Sequence, residues 1–181
     1  MIIGVTSTIC AGKDSVADYL MKKGFVHISF SDYLREELKK QGKEITLQGL
    51  ANLGNELRKK HGPSIIAERL LEMMDSKKDY IITSFRNPEE VLSIKKNSKQ
   101  FKLIALDADR KLRWMRMQGR AKKENEPKTF EEFKTFEDEQ YSSDPSKMNL
   151  GICMQMADNL IVNEGSLEEL HQKIDSIVNN K

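Results

Sequence analysis

Short apolar runs alternate with longer amphipathic stretches along nearly the whole chain. Residues 2–5 are apolar, mostly β-branched and followed at once by small residues, which predicts a short strand buried on both faces. Residues 13–23 then take helical spacing, with Val16, Ala17, Leu20 and Met21 on one face and Gly24 as the stop. A second strand over 25–28 leads to a charged helix over 31–41. The next helix, 46–61, carries Leu47, Leu50, Leu53 and Leu57 as a core stripe. Gly62-Pro63 breaks it, and helical spacing resumes over 64–74.

The pattern then repeats. A strand over 80–82 is followed by a helix that opens at Asn87-Pro88 and runs to about residue 96. A fourth strand, 101–106, precedes an arginine-rich helix over 110–119. A capping box of Thr129 and Glu132 opens a helix over 129–140, and another helix follows over 147–156. The last strand, 160–162, leads to a terminal helix capped at Ser166 and ending near Val178. Short apolar strands alternating with helices predict a five-stranded parallel sheet covered on both faces, in one α/β domain spanning 1–181. Residues 120–128, rich in lysine and glutamate and lacking apolar periodicity, read as a mobile loop.

Composition narrows the function classes. Among 181 residues, 30 Lys and Arg against 28 Asp and Glu leave a net charge of +2, so bulk electrostatics favours neither nucleic acid nor membrane as a partner. The two cysteines, Cys10 and Cys153, lie far apart without a zinc-ligand spacing, as expected of a cytoplasmic protein. The first residues lack the basic region and long apolar core of a signal peptide.

The stretch GVTSTICAGKDS, residues 4–15, nearly fits the phosphate-binding pattern G-x-x-x-x-G-K-[ST]. Its context fits as well: strand, loop, then a helix starting at Lys13. Loop amides and the helix N-terminus would cup a phosphate, and Lys13 would add a point charge on the outer phosphates. Thr8, Cys10, Ala11, Gly12, Lys13, Asp14 and Ser15 are the expected nucleotide contacts. Ser7 stands in place of the first glycine, where a positive φ would cost about 1–2 kcal/mol. Asp14 follows the lysine where a hydroxyl is usual, and a carboxylate there repels triphosphate unless Mg²⁺ lies between them. Ser15 supplies a hydroxyl one place later, so Asp14 and Ser15 are the expected magnesium ligands. An ordinary glycine- and serine-rich turn would share this composition.

Arg113, Arg116 and Arg120 recur at i, i+3 and i+7, and so share one helical face. Three like charges on one face suit a bound polyanion, although a solvated face has the same spacing. Arg35 and Arg86 lie beyond the carboxyl ends of the second and third strands, where open α/β sheets bind ligands. A P-loop for one nucleotide, two arginines for a second phosphate and an arginine helix closing over both is the layout of direct phosphoryl transfer.

At these residues the chain resembles the P-loop nucleoside monophosphate kinases and their relatives, including dephospho-CoA kinases. HISFSDYLREEL is similar to the segment whose arginine, here Arg35, grips the acceptor phosphate; ITSFRNPEE is similar to the one whose arginine, here Arg86, shares that task. DADRKLRWMRMQGR resembles the entry to the lid, where Arg116 and Arg120 would contact the donor nucleotide and migrating phosphoryl group. NLIVNEGSLEEL resembles the last strand and helix, near the donor base. ELRKKHGPSIIAERL and SSDPSKMNLGICMQMAD match a subgroup of small bacterial and archaeal kinase-like proteins labelled AAA-type ATPase or dephospho-CoA kinase-like.

The resemblance implies a three-layer α/β/α P-loop kinase fold, with a helical acceptor-binding insertion over about 30–75 and a short lid over about 116–145. It implies ATP and Mg²⁺ as cofactors, a small-molecule nucleotide acceptor, and a monomer or homodimer. Lys13, Arg86, Arg116 and Arg120 would be catalytic, and Asp32, Arg35, Arg58, Arg86 and Arg113 would bind the acceptor. Thr83 stands where the family's third strand usually ends in a carboxylate that orients Mg²⁺ through water; Asp14 would have to compensate.

Three functions therefore follow as expectations. The first is ATP-dependent phosphoryl transfer to a nucleoside or deoxynucleoside monophosphate. The second is dephospho-CoA kinase, with Asp32 near the place of the general base. The third is a nucleotide-sensing domain without turnover, related to the kinase-like part of deoxycytidylate deaminases. The chain carries no H-x-E with P-C-x-x-C, so it is not itself a zinc deaminase. His27, His61, Met115 and Met117 read as structural, Trp114 as half-buried, and Asp107 and Asp109 as strand-end acids of the kind that cap helices.

Overall fold

β1 (Ile2–Ser7) is buried at all six positions, as a central strand covered by helices must be. The computed structural model describes residues 1–120, 126–144 and 146–179. Parts of the lid and of the lysine- and glutamate-rich loop therefore lie outside the described residues. β2 (Val26–Ser29), β3 (Tyr80–Thr83), β4 (Phe101–Asp107) and β5 (Asn159–Val162) complete a parallel sheet in the order β2-β3-β1-β4-β5. Ile2 pairs with both Tyr80 and Phe101, and Val5 with both Thr83 and Ile104, which fixes β1 between its neighbours. β2 and β5 are the edges. Their partial exposure explains why their sequences read less cleanly than β1; Leu160 in β5 is 64% exposed.

Alternation along the strands sends side chains to two separate cores. On one face Ile2, Ile82 and Leu103 pack under α2 (Phe30–Lys40), α3 (Leu47–His61), α4 (Ile65–Glu72), α5 (Pro88–Lys96) and α8 (Leu150–Gln155). On the other, Ile3, Val5, Ile81, Ile104 and Leu106 pack under α1 (Lys13–Lys22) and α9 (Leu167–Asn179). This is a three-layer α/β/α arrangement. α6 (Arg110–Gly119) and α7 (Phe130–Asp138) follow β4, joined by Trp114 with ring centroids 5.6 Å from Phe133 and 6.2 Å from Phe130.

Local chemistry sets several boundaries. Thr46 caps α3 by accepting from the Gly49 amide, and Asn149 caps α8 by accepting from Ile152. The Asn149 cap explains why α8 starts later than residue 147. Asn87, Pro88 and Glu90 form a full capping box with proline in the first turn of α5. Asp109 caps α6, as a strand-end acid should. Two methionines differ from expectation: Met21 is 41% and Met115 66% exposed, whereas Met117 is buried. Among the described residues no helix is long and apolar enough to cross a membrane.

Candidate active site

β1 runs on to Ser7, two residues beyond the strand expected over 2–5, and the loop between it and α1 starts at Thr8. Ser7 is thus extended strand, and its Cβ brings no strain. The left-handed residues are Cys10, with φ 60, and Gly12, with φ 108. Gly12 is required twice over. A Cβ there would also sit 2.4 Å from Nδ2 of Asn163.

Side chains from distant elements hold this loop. The Thr8 hydroxyl donates to Oδ1 of Asp107 at 2.7 Å, and its amide donates to the Leu106 carbonyl at 3.2 Å. Nη1 of Arg113 donates to the Ile9 carbonyl at 3.2 Å, and Nδ2 of Asn163 to the Ala11 carbonyl at 2.8 Å. Gly12, the N-cap residue of α1, offers no side-chain cap, so the first amides of α1 and the positive end of its dipole face the loop uncapped by that residue. Lys13, Asp14 and Ser15 line the same cleft, with Lys13 and Asp14 ion-paired.

The cleft has a volume of about 300 Å³ and opens at the carboxyl ends of β1, β2 and β3. In such sheets that is where ligands bind. It gathers Lys13, Arg35, Arg86, Arg116 and Arg120. Nη2 of Arg116 donates to the Asn163 carbonyl at 2.8 Å, while its Nη1 is buried with no hydrogen-bond partner among the described residues. Arg120 pairs with Glu126 through Nη2, and its Nε is likewise buried and unpartnered. Two buried guanidinium N–H groups without acceptors, beside a P-loop lysine, leave donors aimed at nothing the described residues provide.

At the end of β3, Ser84 takes φ 71 and turns the chain sharply. Arg86 follows, donating through Nη1 to the Phe85 carbonyl at 2.8 Å. Burial pushes its guanidinium below the ordinary arginine value. The hydroxyls of Ser29, Ser31 and Ser84 form a cluster, with Ser31 at 2.9 Å from Ser29 and 3.1 Å from Ser84. Arg35 reaches that cluster through Ser31 and pairs with Asp32.

Two of the expected acceptor ligands are committed elsewhere. Arg58 lies on the cleft wall, but its Nε and Nη2 donate to Oε1 of Glu90 at 3.0 and 2.7 Å, with both side chains buried. Arg113 is not among the cleft-lining residues. Its guanidinium is consumed by Glu137, the Ala108 carbonyl and the Ile9 carbonyl. Both correct the sequence expectation for the same reason. A buried guanidinium is stabilised by a carboxylate, and Glu90 and Glu137 supply one to each of these two. Ala11, within the loop, is buried and outside the cleft lining, its carbonyl taken by Asn163.

Thr83 is buried, and its hydroxyl lies 2.9 Å from Nε2 of His27. Burial lowers the His27 pKa, an effect only partly countered by Asp32. Cys10, half-buried in the loop, has its thiol pKa raised by burial. Among the described residues no three His, Cys, Asp or Glu side chains group as a metal site. One hydroxyl and one carboxylate, Ser15 and Asp14, do line the cleft; that donor set fits a magnesium ion held mainly by phosphates and water.

Comparison with known proteins agrees with this geometry. Residues 3–142 match the family model described as AAA domain. A UPF0200 protein of Pyrococcus abyssi is 30% identical, over 98% of this chain and 95% of that protein. The chain belongs to the UPF0200 family. Another UPF0200 protein, from Thermococcus gammatolerans, is 27% identical over 98% of this chain and 94% of its own. Among solved structures, shikimate kinase from Bacteroides thetaiotaomicron superposes with a TM-score of 0.62 at 14% identity, covering 99% of this chain and 98% of that one. TT1252 from Thermus thermophilus gives 0.60 at 20% identity, covering 99% and 96%. At such identities the likeness concerns the fold: this UPF0200 chain has the P-loop kinase-like fold expected from its sequence.

Sequence reading missed Glu90, Glu137, Asn163 and Gln140. Glu90 was signalled by N-P-E-E, an N-cap with glutamate at the third helical position. The other three carry no local signal, since their partners come from remote segments.

Proposed function

We propose that this UPF0200 chain is a cytoplasmic phosphotransferase that moves the γ-phosphoryl group of ATP to a nucleoside or deoxynucleoside monophosphate. The observation that carries the reading is the pair of buried, unpartnered N–H groups on Arg116 and Arg120, placed on one cleft with Lys13. They suit the equatorial oxygens of a phosphoryl group in transit, where preorganised donors have most effect. Across the cleft, Arg86 and Arg35 would hold the acceptor phosphate, with α2 and α3 forming its wall.

Lys13 draws on the outer phosphates of the donor, and the α1 N-terminus adds its dipole. An oxygen of the acceptor phosphate attacks the γ-phosphorus directly as the bond to the β-phosphate oxygen breaks. ADP leaves, and no protein nucleophile is needed. Ser15 and Asp14 would hold Mg²⁺, which when bound neutralises phosphate charge.

Dephospho-CoA kinase asks Asp32 to act as a base, yet Asp32 is paired with Arg35, which suits a phosphate acceptor better. One observation favours a sensing role instead. Thr83 engages His27, so no carboxylate stands at the end of β3. ADP release from ATP, measured over a panel of nucleoside and deoxynucleoside monophosphates plus dephospho-CoA, separates the three. Release with a monophosphate is expected, and Lys13→Ala should lower it by roughly 10²–10³-fold. Release only with dephospho-CoA, or ATP binding without release, contradicts the proposal.

A further inference from the structure

Among the polar side chains that line the cleft outside the P-loop and the arginine set, Ser31, Ser84, Glu126 and Gln140, the last stands apart. Gln140 lines the cleft and is 3% exposed, and its Oε1 is buried without a hydrogen-bond partner among the described residues. Buried side-chain oxygens are nearly always satisfied, and an orphan is costly to the fold. Its position is fixed from both sides. The Gln140 amide donates to the Glu137 carbonyl at 3.0 Å, and its carbonyl accepts from Leu150 at 2.9 Å. Tyr141 bridges to Asn149, whose amide donates to the Arg86 carbonyl at 2.6 Å. Gln140 is therefore tied to the strand end that carries the acceptor-side arginine.

The wall that shares the cleft with Gln140 is apolar, formed by Leu47, Leu50, Ala51, Phe136 and Met148. A polyol acceptor needs hydroxyl partners on several sides, and leaving them unmatched is strongly unfavourable. The Ser31 and Ser84 hydroxyls of the cleft lie with the phosphate-side arginines Arg35 and Arg86, and an apolar wall beside a carboxamide suits a planar heterocycle, whose faces are apolar and whose edge carries N–H groups.

We propose that Gln140 is a specificity-determining residue: its Oε1 accepts an N–H from the edge of the acceptor's heterocyclic base, while Arg86 and Arg35 hold the phosphate. This rests on the cleft being the monophosphate site proposed above. A ligand presenting such an edge completes a hydrogen bond that the folded chain leaves open; a bare sugar phosphate does not.

Calorimetric titration tests it. AMP, GMP, CMP, UMP and ribose 5-phosphate are titrated into wild type, Gln140→Met and Gln140→Glu, with phosphoryl transfer and thermal melts measured in parallel. At least one nucleotide should bind the wild type about tenfold more tightly than ribose 5-phosphate, one hydrogen bond's worth. Gln140→Met should lose that preference without loss of melting temperature or of affinity for ribose 5-phosphate. Gln140→Glu, which keeps an acceptor oxygen, should retain it. Equal binding of nucleotides and ribose 5-phosphate by wild type overturns the assignment. So does a preference that survives in Gln140→Met, or a methionine variant that melts earlier with unchanged binding. Preference without any transfer defeats the kinase reading alone, leaving Gln140 judged on binding; no binding to any member of the panel defeats both.

Discussion

Arg113 and Arg116 lie three residues apart on α6 and behave in opposite ways. Arg113 faces inward, with its guanidinium taken up by Glu137 and two backbone carbonyls. Arg116 turns toward the cleft, spends Nη2 on the Asn163 carbonyl and keeps Nη1 buried without a partner among the described residues. The same contrast divides Arg58, locked to Glu90, from Arg86, whose guanidinium donates to the neighbouring Phe85 carbonyl and to no carboxylate among the described residues. The difference teaches that a carboxylate buried together with the arginine sets the two groups apart: Arg58 with Glu90 and Arg113 with Glu137 are buried pairs, whereas the pairs of Arg35 and Arg120 leave the arginine side chain about one-third exposed on the cleft. The floor arginines hold the fold together, and the rim arginines are the ones that the proposed function gives to a ligand.

The contrast breaks most sharply at the floor. Glu90→Ala and Glu137→Ala each strand a buried guanidinium, and each should lower the unfolding free energy by about 3–5 kcal/mol in chemical denaturation. A stability change below about 1 kcal/mol would put Arg58 or Arg113 among the ligand-binding arginines. At the rim the expected effect moves from folding to binding. Arg116→Ala and Arg120→Ala should weaken ATP affinity by about 1.5–3 kcal/mol in calorimetry, since each removes charge-assisted hydrogen bonds to phosphate. Their unfolding midpoints should change far less than those of the glutamate variants.

The loop between floor and rim gives a smaller effect. Gly12→Ala places a Cβ at φ 108 against Asn163, and should cost about 1–2 kcal/mol of stability together with part of the ATP affinity. Unchanged binding in that variant would separate the Asn163 contact from phosphate recognition. The smallest effect is a pH dependence. The folded pKa of His27 lies below its ordinary 6.5, so between those two values the unfolded chain binds more protons. Stability should therefore fall as pH drops below about 6.5, and His27→Gln should flatten that slope in pH-dependent melts.

How much of this was legible from sequence follows from how local each constraint is. The P-loop was readable because strand, glycine, lysine and helix are consecutive. The helix starts at Thr46, Asn87 and Thr129 were readable because a cap and its target lie within a single turn. The fates of Arg58 and Arg113 were not, because their carboxylates lie 32 and 24 residues further along the chain. Strain was expected at Ser7 by analogy with the motif glycine, whereas β1 continues through Ser7 and the turn falls on Cys10. Thr83 was conspicuous as a missing acid, yet its actual partner, His27, comes from the neighbouring strand, where side-chain pairing depends on register. Gln140 gave no signal at all, since a buried amide differs from a solvated one only in its surroundings.

The most direct test of the central claim follows the γ-phosphoryl group itself. With γ-labelled ATP, Mg²⁺ and a nucleoside monophosphate, the label should appear on the corresponding nucleoside diphosphate within a single turnover. In Lys13→Ala that transfer should fall by roughly 10²–10³-fold while the protein stays folded. Label recovered only as inorganic phosphate, or remaining on ATP whatever monophosphate is added, would contradict the account.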